Sequence, residues 1–511
     1  MTPVPFACRL IALAAAACPL AITTAHAATR TEATLPEVTL TGAPTQVAQA
    51  DAPAPAPAPA DPTVPVRDGP MHLGRPGTTE KSFTLTGLEI VGFDLLLSNY
   101  NRAFSGSHDY DVSIHSIEHN LRGPWVTDND PFKINQFAHP YQGSLYHAAG
   151  RSMGLSYWEA SAMTFAGSAY WEIFGEKTPP SVNDQVASGI AGSFFGEPLF
   201  RMAHLVQDHS TLPAGWKPYA TAFISPPVAI NRRLFGQQGY GGTFDDHDPA
   251  YYSRLHLGVA HTTVDDVAAS PATNFHANTA EVDYQMDYGL PGQKGYTYNR
   301  PFDFFQFQAV ASSANGIENL TSNGLLWGDA YTEGDGTVHG VWGVFGTYEY
   351  LSPQIYHVSS TSLSLGTALA WNPVRDLAVQ ATVQGGVGYA AASSTVRDVD
   401  SQEYHYGTAP RAQASLRVIE ANRLSLDVGA RLVSLGSVAD RAAGRDTISR
   451  VESTLTWRVM GHHAIGVGYI WSHRSATFGA AANERKQTLG QVGLFYTLLG
   501  QQDLGAVDTS R

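Results

Sequence analysis

The stretch RVESTLTWRV, residues 450–459, decides the fold. Val451, Leu455, Trp457 and Val459 oppose Arg450, Glu452, Thr454 and Arg458. Such alternation puts apolar groups on one face of a strand and polar groups on the other. The same period runs through RLSLDVGARL (423–432), where Leu424, Leu426, Val428 and Leu432 alternate with Ser425, Asp427, Gly429 and Arg431. It runs again through EVDYQMDY (281–288), where Val282, Tyr284, Met286 and Tyr288 alternate with acidic and amide groups.

About twelve runs of this kind can be marked. They fall near residues 253–265, 274–289, 302–313, 319–332, 338–351, 357–372, 376–391, 404–419, 423–434, 447–459, 462–476 and 484–499. They are longer than soluble strands, which average about five or six residues. Trp371, Tyr389, Trp457, Trp471 and Tyr496 lie toward run ends, as aromatic girdles do. The pattern predicts an antiparallel transmembrane β-barrel over 250–500, closed because lipid leaves no water for an open sheet edge. A soluble sandwich alternates too, with its faces reversed. Strand length, Gly-rich strands and aromatic placement favour the membrane barrel. A polar tail, 501–511, follows the last run, whereas many such barrels end on an aromatic.

The beginning of the chain points to export. Arg9, the apolar LIALAAAACPLAI (10–22) and Ala25-His26-Ala27 read as a signal peptide over 1–27. Residues 28–81 contain DAPAPAPAPADPTVPV, a tract that cannot bury a core, and form a disordered linker. Both cysteines, Cys8 and Cys18, lie in the signal, so disulfides and thiolate metal sites are excluded from a processed chain. The net charge of -14 excludes nucleic acid as a partner.

Residues 82–240 do not alternate, and they predict a helical domain. The fold class is therefore α+β, helices followed by a barrel. GLEIVGFDLLLSNYNRAF (87–104) and SYWEASAMTFAGSAYWEIFGE (156–176) have helical spacing, and a third helix opens at PPSVND (179–184). Ser181 and Asp184 have capping-box spacing. Ser188, Gly192 and Gly196 form a small-residue ridge that lets another backbone approach. Ser161, Ser168 and Glu172 line up on one face of the second helix, toward a polar cavity or a partner helix.

This apolar region keeps His139, Arg151, Glu159, Glu172 and Asp184, the candidate site residues. Buried charges persist when paired, so these five are expected to converge, with Arg151 meeting Glu159 or Glu172. A structural network, an acid–base pair built on His139 and a metal site all remain open. One His among scattered carboxylates lacks a recognised metal-ligand spacing, so no metal is expected. Walker, dinucleotide and Gly-x-Ser-x-Gly signatures do not occur, so no cofactor is expected either.

Residues 125–201 resemble the bacterial family known as domain of unknown function 3943. The resemblance is carried by Asp128-Asn129-Asp130, Asn135, His139-Pro140-Tyr141-x-Gly143, Ala149-Gly150-Arg151, Trp158-Glu159, Trp171-Glu172, Glu176, Pro179-Pro180-Ser181-x-Asn183-Asp184 and Gly196-Glu197. Asn231-Arg232-x-x-x-Gly236 matches a trailing element. The resemblance implies a Gram-negative envelope protein and supplies no activity.

The leading expectation is a non-enzymatic outer-membrane protein with a structural, transport or interaction role. Its helices plug or cap the lumen on the periplasmic side. Its partners are outer-membrane lipid, the barrel-assembly machinery and other envelope proteins. The alternative is an outer-membrane enzyme acting on lipid or lipopolysaccharide through His139 and nearby carboxylates.

Overall fold

A computed structural model describes residues 81–128, 130–210, 212–235, 249–266, 273–353, 355–393, 404–437, 444–478 and 483–507. The expected signal peptide and all of the linker except Lys81 lie outside the described residues.

The alternating half forms twelve strands. The first four are β1 Tyr251–Asp266, β2 Thr273–Tyr288, β3 Phe305–Ser312 and β4 Gly316–Glu333. The next four are β5 Val338–Leu351, β6 His357–Val374, β7 Leu377–Ser393 and β8 His405–Glu420. The last four are β9 Leu424–Ser437, β10 Gly444–Met460, β11 His463–Phe478 and β12 Asn483–Leu499. Each pairs antiparallel with its sequence neighbours, and β1 pairs β12, so the barrel is closed. The alternation sorts as expected. Val451, Leu455, Trp457 and Val459 face out and are exposed, while Arg450 and Glu452 line the interior. Leu363, Leu365, Val383, Leu494 and Tyr496 continue the outward apolar belt. An apolar outside on a closed antiparallel barrel is the signature of an outer-membrane protein.

The lumen is braced by ion pairs and narrowed at both ends by described residues. Arg431 of β9 reaches Glu349 of β5 at 2.5 Å and also pairs with Glu452. Arg417 of β8 reaches Asp287 of β2 at 2.8 Å and Asp427 at 2.5 Å. Both Arg431–Glu349 and Arg417–Asp287 join strands that are not neighbours, so they cross the lumen. Around them lies a cavity of about 190 Å³. At one end the β5–β6 connection folds inward. Ile355 and Tyr356 are fully buried among Val264, Leu435 and Leu489, and Gln487 Nε2 donates to the Ile355 carbonyl at 2.8 Å. At the other end, residues 500–507 turn back into the mouth. Leu504 and Val507 pack on Tyr252, Leu290 and Ile419, and Gln380 Nε2 donates to the Gly505 carbonyl at 2.6 Å. The polar tail therefore does not count against a barrel; its first part is a stopper.

The helical half begins with α1 Phe83–Phe104, capped by Ser82, and α2 Ile114–Arg122. A π turn, Ile134–Ala138, leads into α3 His139–Ser152. Next comes α4 Tyr157–Tyr170, opened by a Ser156/Glu159 capping box and prolonged by the π segment Trp171–Gly175. A short α5, Val182–Asp184, passes through the π segment Gln185–Ala191 into α6 Gly192–His209. α7 Lys217–Ile224 and α8 Pro226–Phe235 complete it.

The small-residue ridge does what its spacing predicts. A Cβ on Gly192 would lie 2.6 Å from Gly143 Cα, and one on Gly143 would lie 2.0 Å from the Ser188 carbonyl. These glycines let α3 and α6 touch backbone to backbone.

The helices form a cap, but on the side wall. Phe132, Phe137, Tyr157, Phe194 and Phe195 pack with Met286, Tyr288, Phe305, Phe307, Leu320, Tyr348 and Tyr350. Those barrel residues share strand faces with the outward belt, and Tyr348 alternates with Thr347 and Glu349, which face the lumen. Phe302, in the left-handed region at φ 64°, is fully buried between Tyr157 and Phe194. The expected plugging of the lumen by these helices is thus corrected. The β5–β6 connection and residues 500–507 fill the two mouths, leaving the apolar helices to cover outward aromatics.

Candidate functional site

The five candidate residues do not converge on one place. Glu159 is on the surface, in its own capping box and 2.8 Å from Lys81 Nζ. Arg151 is buried, but its partner is neither Glu159 nor Glu172. Its Nε and Nη2 donate to Glu197 at 2.7 and 3.1 Å, and its Nη1 donates to the Leu155 carbonyl at 2.6 Å. Glu197 also accepts from Arg201 Nε at 2.9 Å and sits 3.0 Å from His147 Nε2. Arg201 continues to Asp303 at 3.0 Å, tying α6 to the β2–β3 connection. Burial alone would raise the Glu197 carboxyl, but Arg151, His147 and Arg201 hold it well below the usual range. Burial is the largest cause acting on His147 and lowers it, while Glu197 acts in the opposite direction. This is a closed ion-pair core.

His139, Glu172 and Asp184 do come together, at the seam between helices and barrel wall. Ser181 joins two of them: its amide donates to Glu172 Oε2 at 2.9 Å, and its hydroxyl accepts from the Asp184 amide at 3.2 Å. Glu172 thus takes the cap amide that a full capping box would have given to Asp184. His139 Nε2 lies 3.8 Å from Asp184 Oδ2, and its Nδ1 lies 3.5 Å from Ser188 Oγ. The Ser161/Ser168/Glu172 stripe is buried and faces a partner helix, with Ser168 Oγ 3.5 Å from the Asp184 carbonyl.

Several residues of this seam were not among the candidates. Asp128 Oδ1 accepts from Asn135 at 2.7 Å and from Asn183 at 2.6 Å. The hydroxyl of Tyr406, on the outer face of β8, accepts from Asn183 at 3.1 Å, Gln136 at 3.1 Å and Asn135 at 3.3 Å. Tyr404 accepts from Asn135 at 2.9 Å and donates to the Asp130 carbonyl at 2.7 Å. Glu176 accepts from Trp171 Nε1 at 2.9 Å.

The electrostatics are lopsided. Burial, then Asp184 and Glu176, pushes Glu172 well above the carboxylate range. Burial, then Asp128, does the same to Asp184. Burial raises Glu176 to about 7 and, with Asp128, raises Asp130 to about 6. Like charges crowded out of water hold protons rather than ionise. Glu172 Oε1 and Asn135 Oδ1 are buried without a hydrogen-bond partner. The seam's carboxyls are therefore shifted toward their neutral forms. The seam lacks the open cavity that attack on a substrate requires, because His139 is only 5% exposed and Ser188 1%. Among the described residues, no three His, Cys, Asp or Glu side chains are arranged to hold a metal ion.

Residues 124–227 match the model of the family described as Domain of unknown function (DUF3943). No curated protein matches the chain. Among solved structures it is similar to an outer membrane channel from Pseudomonas putida F1, at 14% identity and TM-score 0.25, covering 51% of this chain and 98% of that one. A Pseudomonas aeruginosa FadL homologue follows at 10% identity and TM-score 0.22, covering 49% and 90%. The Pseudomonas putida toluene transporter TodX is similar at 9% identity and TM-score 0.20, covering 51% and 91%. The belt on the barrel's own surface, not these likenesses, carries the membrane assignment.

Proposed function

We propose that the protein is a non-conducting outer-membrane barrel with a structural or interaction role, serving as the rigid wall against which the helical domain is built. The observation that supports this reading is the obstructed lumen. Arg417 and Arg431 strut it from side to side, and Ile355, Tyr356 and residues 500–507 fill its mouths. The helices lean on the outward wall, so their contacts favour a place beside the barrel over the periplasmic place expected for them. The linker, 28–81, keeps its periplasmic expectation, and the barrel-assembly machinery remains the expected partner during insertion.

Planar-bilayer recording tests the reading. The full chain should show no steady conductance, and removal of residues 500–511 alone should not open it, because Ile355 and Tyr356 still fill the other mouth and Arg417 and Arg431 still cross the lumen. Steady conductance by the intact chain would overturn it.

A second reading, an enzyme acting on lipid or lipopolysaccharide, draws on the row Ser188–His139–Asp184. Both spacings are long and the row is buried. Lipid profiling of a deletion strain complemented with the intact chain or with His139→Ala would separate the readings. Restoration of the wild-type profile by both chains supports the structural role; a defect that His139→Ala fails to correct, despite normal assembly, supports the enzyme.

A further inference from the structure

The helical domain is apolar on two sides. Phe194, Phe195 and Tyr157 pack on the barrel, its buried carboxylates, amides and arginines meet one another inside, and further apolar groups are exposed on the face away from the wall. On α4 and its π extension the exposed positions are Trp158, Ala162, Phe165, Ala166 and Phe174, none of them charged. On α1, Leu88, Leu95 and Leu96 are 63%, 50% and 75% exposed. The exposed polar groups of α1 are Thr84 near its start and Asn99 and Arg102 near its end, so the apolar stretch lies between them; a run of exposed large apolar side chains on this scale marks a buried or lipid contact.

The barrel identifies what covers it. Phe194 packs over Gly346 of β5, which pairs with Leu363 of β6, and Val344 pairs with Leu365. Leu363 and Leu365 are 50% and 66% exposed members of the lipid-facing belt. The helices therefore cover the wall at the same level at which the next strand meets lipid. The two surfaces also join: Trp158 of α4 stacks on Trp327 of β4 with ring centroids 4.7 Å apart, and both rings stay partly exposed. A layer that replaces lipid on one side, at belt depth, must meet lipid on its other side.

We propose that the outer face of α1 and α4 lies against the acyl chains of the bilayer, so that the helical domain flanks the barrel within the membrane. No described helix is long and apolar enough to cross a membrane alone. Contact with the wall, through Phe194, Phe195, Tyr157 and the Tyr404/Tyr406 hydroxyls, supplies the anchorage that one helix lacks. The proposal rests on the barrel's embedding and not on its lack of conductance, so the two readings fail separately.

The chain's only cysteines are Cys8 and Cys18, which makes spin labelling simple. Full-length protein carrying Cys8→Ser and Cys18→Ser would be labelled through Phe165→Cys or Leu96→Cys. It would be reconstituted in vesicles of phosphatidylethanolamine and phosphatidylglycerol, and collision with oxygen compared with collision with a water-soluble nickel chelate. Val383→Cys on the belt is the lipid reference, and Glu118→Cys on α2 the water reference. Phe165 and Leu96 labels should match Val383, with an oxygen-to-nickel ratio several-fold above that of Glu118. Labels that behave like Glu118 would overturn the proposal. Labels shielded from both reagents would overturn it too, by revealing a protein partner or a second copy on this face. A nickel-accessible Val383 would overturn the barrel's embedding and the proposal with it. Ala166→Cys, a smaller change on the same face, repeats the measurement where either variant fails to assemble.

Discussion

Replacing Glu197 with Leu should cost the helical domain most of its stability. Glu197 is fully buried and joins Arg151, Arg201 and His147. Without it, Arg201 keeps Asp303 at 3.0 Å and the Pro301 carbonyl at 2.9 Å. Arg151 keeps only the Leu155 carbonyl and the face of the Phe200 ring, 4.9 Å away. One buried guanidinium is then left without a counter-ion. Breaking a buried pair from one side costs about 3–5 kcal/mol, or roughly 150- to 5000-fold in the folding equilibrium. Arg151→Met should cost less, because Glu197 retains Arg201 and His147. The double variant Arg151→Met/Glu197→Leu removes both charges, so it should cost less than the sum of the single changes. The assay is urea titration in detergent micelles, read by proteolysis of the helical region while the barrel stays protease-resistant. Should Glu197→Leu stay within about 1 kcal/mol of wild type, or the double variant cost the full sum, the counter-ion reasoning is wrong.

Three further outcomes are expected. Burial pushes Asp94 up to about 8 despite hydrogen bonds from Tyr146 and Gln142. A carboxyl raised in the fold is stabilising when protonated, so its contribution is full below the ordinary Asp range and is lost as pH rises through about 8, by up to about 1.4 kcal/mol per pH unit. Glu89 and Glu176, each raised to about 7, act in the same direction; Asp94→Asn should therefore shrink, not abolish, the fall in urea midpoint from acidic to mildly alkaline pH, and an unchanged slope would refute the assignment. Gly192→Leu should separate α3 from α6 and cost at least about 1–3 kcal/mol, because the clash is with backbone. Gly92→Ala, where a Cβ meets nothing within 4 Å, should be neutral or stabilising on the same protease assay. Tyr406→Phe should leave heat-modifiable barrel migration intact and loosen the helices by about 1–3 kcal/mol, since Gln136 loses its acceptor and Asn135 and Asn183 each lose one of theirs; unchanged protease release would show that the seam does not hold the domain.

The barrel was legible because its signal is local. A residue's neighbour at i+2 reports its face, and RVESTLTWRV shows the same two faces in sequence and in space. The twelve strands fall close to the twelve runs for that reason. The helical domain was legible at the level of elements and of the Ser188/Gly192/Gly196 ridge. Its contacts were not, because a carboxylate in an apolar helix signals only that some partner exists. Arg151 was assigned to Glu159 or Glu172, yet its partner is Glu197, which lies on the helix that the ridge brings against α3. Glu197, like Asp128, Asn135 and Asn183, stood among the resemblance motifs, and that was the available signal. Tyr404 and Tyr406 had none: two tyrosines at i and i+2 on an outward face read as girdle aromatics, and only the docked helices give their hydroxyls a role. The tail failed for a related reason, since residues 500–507 fill the mouth through pairings with strands over a hundred positions earlier.

Placing the helices on the wall changes what the carboxylate seam can do. Between a helical layer and Tyr404, Tyr406 and Tyr389, Glu172 and Asp184 are raised well above the carboxylate range, and burial is the largest cause for each. A ligand approaching His139 would have to part the helices from the wall, breaking the Asn183–Tyr406 and Asn135–Tyr404 hydrogen bonds together. Raised pH acts on the same seam from within: each proton lost places an unpaired negative charge where Coulomb repulsion is strong. The seam is therefore where the two halves of the chain are coupled, and its protonation favours their docked arrangement.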